Sequence, residues 1–263
     1  MSKRKASQPH EARAKMNLLI TFYEGTETDR RGRSLTDILQ WEASRLEASH
    51  DYIQILFPLP EESGVNWSAP VIDRQVFNAF RSRPELKEKL RDSFRRMLWF
   101  YGFELETEGG IKVTKGPNYT AHSGNWDVRF DHNHLRITRI IRCLRVLGLE
   151  DEAQAFRAAL EEASVNASSR SREYWRRATE RTLNLRPDLE DKDIEGEDDL
   201  TLGPKFLREF EESRKPNTAS GGKSNGPGIS DDVGPVIDKV LNNWVGGHAD
   251  QKVKVAGVKG TKV

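Results

Sequence analysis

The side chains that could do chemistry fall into three groups. Arg136, Arg139, Arg142 and Arg145 recur at every third position. That spacing keeps them on one drifting ridge of a helix, and a row of guanidinium groups suits phosphate or carboxylate. For Arg136 and Arg139 the sequence leaves two fates open: an anionic ligand, or ion pairs with Asp51 or Asp131. For Arg142 and Arg145 the expectation is a solvated face with acids nearby. The second group is His122, His132 and His134. A His-x-His pair with a distant third histidine can ligate zinc. Residues two apart, however, lie on nearly opposite sides of a helix, and no catalytic glutamate spacing accompanies them. The expectation is capping or surface histidines, with no metal and no other cofactor. The third group is aromatic: Trp41, Trp67, Trp99 and Trp126. Trp99 lies one position off a helical stripe and could line a groove, or equally serve second-layer packing. No nucleophile elbow, P-loop or dinucleotide fingerprint is present, so nothing points to an enzyme.

The elements that must position these groups are mostly helical. His50 to Pro60 is the most apolar stretch of the chain. Tyr52, Ile53, Leu56 and Phe57 share one helical face, Asp51 or Ser49 can cap its start, and Pro58 and Pro60 stop it. Upstream, Asn17 to Tyr23 is a strand or a helical turn. Ser34 with Asp37 resembles a capping box for one helix through Leu46. Trp67 is expected to pin the loop that follows Pro60. Asp73 caps a helix carrying Val76, Phe77 and Phe80. Ser82, Pro84 and Glu85 give a start signal for a helix with Leu86, Leu90, Phe94, Met97, Leu98 and Tyr101 on one face, ended by Gly102. Residues 103–130 have no helical period, and Gly109-Gly110 suggests a small hairpin. Asn133 to Leu147 is apolar too broadly for one stripe, so this helix should be central. Two more helices follow, opened by Asp151 and Ser168.

Composition sets the outer limits. The chain has 263 residues, 32% charged and 36% hydrophobic, with a net charge of +1. A charge so near zero gives no global pull toward nucleic acid or anionic membrane, and nucleic acid is not an expected partner. The lone Cys143 excludes an intramolecular disulfide and should be a buried, inert thiol. No apolar run is long enough to span a bilayer, so any membrane association would be peripheral. The expected fold class is all-α: residues 1–16 a basic flexible tail, 17–183 one mostly helical domain with a hairpin insert, and 184–263 an acidic, then Gly/Ser/Pro-rich disordered tail. Residues 233–245 have helical period and could form a short helix that waits for a protein partner.

Five segments in order carry a resemblance. They are Phe22-Tyr23-x-Gly25; His50-x-Tyr52-Ile53-Gln54-Ile55-Leu56-Phe57-Pro58; Asn66-x-x-Ala69-Pro70; Met97-Leu98-x-Phe100-Tyr101-Gly102; and Asn133-x-Leu135-Arg136-Ile137-Thr138-Arg139-Ile140, closed by Leu147-Gly148-Leu149-Glu150. Together, over residues 17 to 160, they resemble the conserved N-terminal domain of the opioid growth factor receptor family, with Ile55 where the family usually has tryptophan. The resemblance implies a non-enzymatic protein that binds a small enkephalin-type peptide and restrains growth. It also implies an intracellular location, at the nuclear envelope, in the nucleus or in the cytoplasm. The other reading is an interaction scaffold with no opioid ligand, or a weak binder of nucleic acid or an acidic partner through the arginine ridge. A zwitterionic peptide needs an acid, a base and an aromatic wall. His50, Asp51, Tyr52, Trp99, Tyr101, Arg136 and Arg139 are the expected ligand-binding residues. Arg136→Ala and Asp51→Asn should then each abolish enkephalin binding in a titration while leaving the melting temperature nearly unchanged. Unfolding of either variant would make these residues structural.

Overall fold

Asn17 opens the chain's first helix, accepting from the Leu19 amide at 2.9 Å, so the stretch before Gly25 is helix rather than strand: α1 is Leu18–Glu24. The computed structural model describes residues 17–63, 66–190, 194 and 202–215. The tail 1–16 and the segment 233–245 lie outside the described residues. The capping box at Ser34 is present with both its hydrogen bonds. The single helix expected behind it is broken in two, however: α2 (Leu35–Leu39) and α3 (Ala43–Ala48). Trp41 turns inward at the break and is 5% exposed.

The apolar signature forms only one turn, α4 (Ile53–Leu56), and neither Asp51 nor Ser49 caps it. Its helical character is slight, but Tyr52, Leu56 and Phe57 are fully buried. Asp73 does cap α5 (Arg74–Ser82), accepting from the Val76 amide at 2.8 Å. The long helix α6 (Pro84–Tyr101) starts on Arg83 with no side-chain cap, because Ser82 bonds back to Asn78 O within α5. Gly102 ends α6 at φ 92°, and a Cβ there would meet Tyr119 Cα at 2.7 Å. Only glycine fits both demands.

The hairpin expected around Gly109-Gly110 pairs β1 (Phe103–Glu106) antiparallel with β2 (Lys112–Lys115), Phe103 opposite Lys115. A short helix α7 (Tyr119–His122) leads to Trp126, which is buried and donates to Tyr101 O at 3.0 Å. Then come α8 (His132–Val146), α9 (Glu150–Ala163) and α10 (Ser169–Glu180). The central place expected for α8 is observed: it packs on both α9 and α10, and Ile137, Ile140, Ile141, Cys143 and Leu144 are all fully buried. Among the described residues the fold is thus mostly helical with one two-stranded sheet.

Two placements depart from expectation. Ser63, Asn66 and Trp67 fall outside the main unit, and Trp67 is 85% exposed. Conversely, folded structure continues past residue 183. A further helix, α11 (Lys205–Arg214), buries Leu207 completely. Phe206 and Phe210 pack on Phe77 at ring distances of 5.4 and 5.1 Å, and the Leu183 amide donates to Glu211 at 2.8 Å. The acidic composition of the connecting segment hides this amphipathic turn from a reading by composition. Leu207→Ala should therefore cost about 2–5 kcal/mol in urea unfolding of the full chain. A loss below about 0.5 kcal/mol, the level of an ordinary surface change, would mean that α11 is not docked.

Candidate functional site

The polar centre of the molecule lies where the end of α3 meets the start of α8. A six-residue helix has few internal hydrogen bonds, and its last carbonyls need partners from outside. Arg136, 5% exposed, supplies them. It donates to Leu46 O at 3.1 Å, Glu47 O at 3.3 Å and Ser49 O at 2.6 Å, and to Asn133 Oδ1 at 3.1 Å. Its Nη2 also lies 3.4 Å from His50 Nδ1, and its guanidinium sits 5.6 Å from the Tyr52 ring centre. Asn133 in turn donates to Glu47 Oε2 at 3.0 Å and to Asn125 O at 2.8 Å. Asp131 caps α8 through the Asn133 amide at 2.7 Å. His132 stands between two carboxylates, Nε2 at 3.3 Å from Glu47 and Nδ1 at 3.3 Å from Asp131. Burial, helped by the charge of Arg136, holds His132 below the ordinary 6.5, against the pull of Asp131 and Glu47.

Beside this centre lies a loop built on one carboxylate. Asp29 Oδ1 accepts from the amides of Arg31 and Arg33, both at 2.9 Å, and Oδ2 accepts from Arg33 Nε at 2.6 Å. The loop aims both arginines at Asp51. Arg33 meets Asp51 with two bonds at 3.1 and 3.0 Å, and Arg31 at 2.8 Å. The Arg31 side chain is 70% exposed. Desolvation raises the Asp29 pKa, but the hydrogen bonds from Arg33 and Arg31 outweigh it, so the carboxyl lies below its ordinary 3.8.

The structure brings His50, Asp51, Tyr52 and Arg136 into one neighbourhood and turns the others elsewhere. Tyr52 is fully buried, its hydroxyl 3.6 Å from Met97 Sδ, and burial pushes its pKa up to about 12. Tyr101 is fully buried too; its hydroxyl has no hydrogen-bond partner among the described residues. It lies among the charges of Arg136, Glu47 and Asp131. Trp99 packs instead on Arg96, 4.0 Å from its ring centre, and on His122. Arg139 donates to Phe57 O at 3.1 Å, just past the end of α4. Neither Arg136 nor Arg139 pairs directly with Asp51 or Asp131 among the described contacts.

The rest of the ridge behaves alike. Arg142, 3% exposed, binds Leu185 O at 2.8 Å and Glu61. Arg145 binds Ala178 O at 2.9 Å and Arg181 O at 2.8 Å, closing the end of α10. Burial and the charge of Arg142 lower its pKa to about 10. In place of the solvated face expected for Arg142 and Arg145, Arg142 is buried and Arg145 half-buried, and both staple main-chain carbonyls. The histidines also divide as their spacing required. His132 faces Glu47, while His134 is 5% exposed and bonds Trp126 O at 2.7 Å and Ser171 at 2.8 Å. His134 is thus a buried packing group, not a surface one. Sequence reading missed Glu47 and Asp29; the Glu47-x-x-His50 spacing across a helix end was the available signal for the first.

The domain is mostly helical, its polar residues largely tie helix ends together, and its open polar edge lies at Arg31, His50, Asp51 and Glu47. A family model described as the opioid growth factor receptor (OGFr) conserved region matches residues 11–174. The chain belongs to this family. It is 43% identical over 138 residues to the rat opioid growth factor receptor, covering 51% of this chain and 23% of that protein. For the human receptor the figures are 43%, 51% and 20%. For mouse opioid growth factor receptor-like protein 1 the identity is 38% over 112 residues, 40% of this chain and 22% of that protein. The matched region thus spans less than a quarter of these relatives' length. No solved structure matches the chain. Among the described residues no helix is long and apolar enough to cross a membrane.

Two outcomes follow from this geometry. Arg136→Met leaves the carbonyls of α3 unpaired in a buried place and should cost about 3–5 kcal/mol by urea unfolding; an unchanged midpoint would show that the staple does not hold α3. Asp29 has a folded pKa below its unfolded value. Its contribution is therefore complete above the unfolded value and is lost as pH falls through the folded one. The stability gap between wild type and Asp29→Asn should be steady near neutral pH and close below about pH 4. A gap that widens on acidification would reverse the assignment.

Proposed function

We propose that this chain is a non-enzymatic, receptor-type recognition module that takes a short peptide at the edge formed by Arg31, His50 and Asp51. The single observation that carries this is the Arg31–Asp51 pair. It places opposite charges 2.8 Å apart at a surface where Arg31 is 70% exposed. Arg31 is the exposed partner, whereas Asp51 is 25% exposed and also held by Arg33. The exposed Arg31 contact is the weak one, so a zwitterionic ligand can displace it, the peptide amine taking its place at Asp51 and the peptide carboxylate meeting Arg31. His50 is exposed beside them. The relatives' name, opioid growth factor receptor, supports an enkephalin-type peptide and a role in growth regulation. The reading includes action inside the cell, in the nucleus, at its envelope or in the cytoplasm, with any membrane contact peripheral.

A second reading, an interaction scaffold without an opioid ligand, has its own observation. Tyr52, Tyr101, Arg136 and Arg139 are buried or spent on main-chain carbonyls, so no aromatic wall stands at the open edge. Calorimetric titration of the full chain with methionine-enkephalin separates the two. The peptide reading expects saturable binding that weakens about tenfold or more in Arg31→Ala and Asp51→Asn, a loss of about 1.4 kcal/mol, with folding retained. An N-acetylated peptide should lose as much. Absence of heat with the wild-type chain would leave the scaffold reading in its place.

A further inference from the structure

We propose that Glu47, Asp131 and His132 form a site for one divalent transition-metal ion of the zinc class, separate from the Arg31–Asp51 edge. Each offers one ligand atom, and these atoms lie within 4.8 Å of one another. His132 Nε2 and Glu47 Oε1 are 3.3 Å apart. Two ligands held at about 2.0–2.1 Å on a tetrahedral ion stand roughly 3.3 Å apart, so this pair already has the required spacing.

The surroundings fix the ligands as a metal site requires. Glu47 Oε2 is held by Asn133 Nδ2 at 3.0 Å, which turns Oε1 toward the imidazole. Asn133 is itself anchored to Asn125 O and by Arg136. Asp131 Oδ1, held by its cap bond to the Asn133 amide, lies 3.3 Å from His132 Nδ1, the ring nitrogen away from Glu47; a turn of the Asp131 carboxylate toward Nε2 brings the three ligands to one ion. The ligands therefore come from two helices that Arg136 locks together. Water can take the fourth position, as at an open three-ligand zinc site.

Charge and ligand type select the ion. Two carboxylates outweigh the one guanidinium, whose nearest approach to Glu47 is 3.9 Å. The Arg136 donors are turned to main-chain carbonyls and Asn133, so only its net charge opposes a cation. Calcium and magnesium ask for more oxygens than this site offers. A mixed imidazole and carboxylate set suits zinc and its neighbours.

The test uses the full chain, stripped by a chelator and titrated with zinc in a calorimeter and with cobalt(II) by visible absorption. The expected result is one ion per chain and an intense cobalt band of tetrahedral type. Asp131→Asn keeps a good helix cap; it and Glu47→Gln should weaken binding by about 10- to 100-fold or more. His132→Ala should abolish the band, and His122→Ala, outside the site, should change nothing. Failure of the wild-type chain to bind zinc overturns the proposal. So does binding that survives both Glu47→Gln and His132→Ala, or that falls equally in His122→Ala. Should His132→Ala not fold, Glu47→Gln decides, since it keeps the shape and the Asn133 contact. No peptide enters the titration, so its outcome is independent of the peptide reading.

Discussion

A buried guanidinium must find acceptors, and a short helix must find donors for its last carbonyls; this domain meets both needs with one kind of contact. Arg136 closes α3, Arg139 binds the residue after α4, and Arg145 closes α10. Arg81 closes α8 itself through Arg145 O and Val146 O, both at 3.1 Å, and reaches Glu150 at 2.8 Å. Arg96 binds Trp41 O at the break between α2 and α3. Helices of four to six residues are not stable alone in water. Here they persist because an arginine on a longer helix completes their hydrogen bonds, and the planar fork can serve two carbonyls at once. The same contacts explain how so many charges enter a core without matching acids: carbonyl dipoles at helix ends carry partial negative charge.

This economy also explains what the open edge can and cannot do. The ridge that looks like an anion-binding face has spent its donors inward. What remains outside is set by loops and helix ends: Arg31 and Arg33 aimed by Asp29, and His50 and Asp51 ahead of the buried Tyr52. This surface therefore presents charge and shape over a rigid base. The aromatic residues of the signature contribute by holding that base, as with Tyr23, whose hydroxyl donates to Leu56 O.

Much of the frame was legible in the sequence. The periodicity of α6 and α8, the caps at Ser34 and Asp73 and the glycine pair of the hairpin each gave local, mechanistic signals, and each element stands where they placed it. The break at Trp41 was not legible, because the apolar period runs across it and only tertiary packing turns Trp41 inward. The arginines were found but not their role. Spacing shows which side chains share a ridge, whereas their acceptors are main-chain carbonyls, which every residue has and no residue type announces. Of the expected ligand residues, His50, Asp51, Tyr52 and Arg136 do converge, because the signature turn meets the start of α8. Trp99 does not, since one step off the α6 stripe turns a side chain by about 100°, and Arg139 does not, since three residues carry it about 4.5 Å along α8 to Phe57 O.

The three-residue repeat of arginines along α8 has a mechanical consequence. Each guanidinium meets carbonyls at about hydrogen-bond length, and those carbonyls belong to different segments of the chain. Sliding α8 by one turn would carry every tooth of this comb about 5.4 Å past its slot and break all of the contacts together. Movements of the ratchet type, in which one helix shifts against its neighbours, are thereby closed to this domain. Any rearrangement at the edge is confined to the loops around it, with α8 serving as the fixed axle.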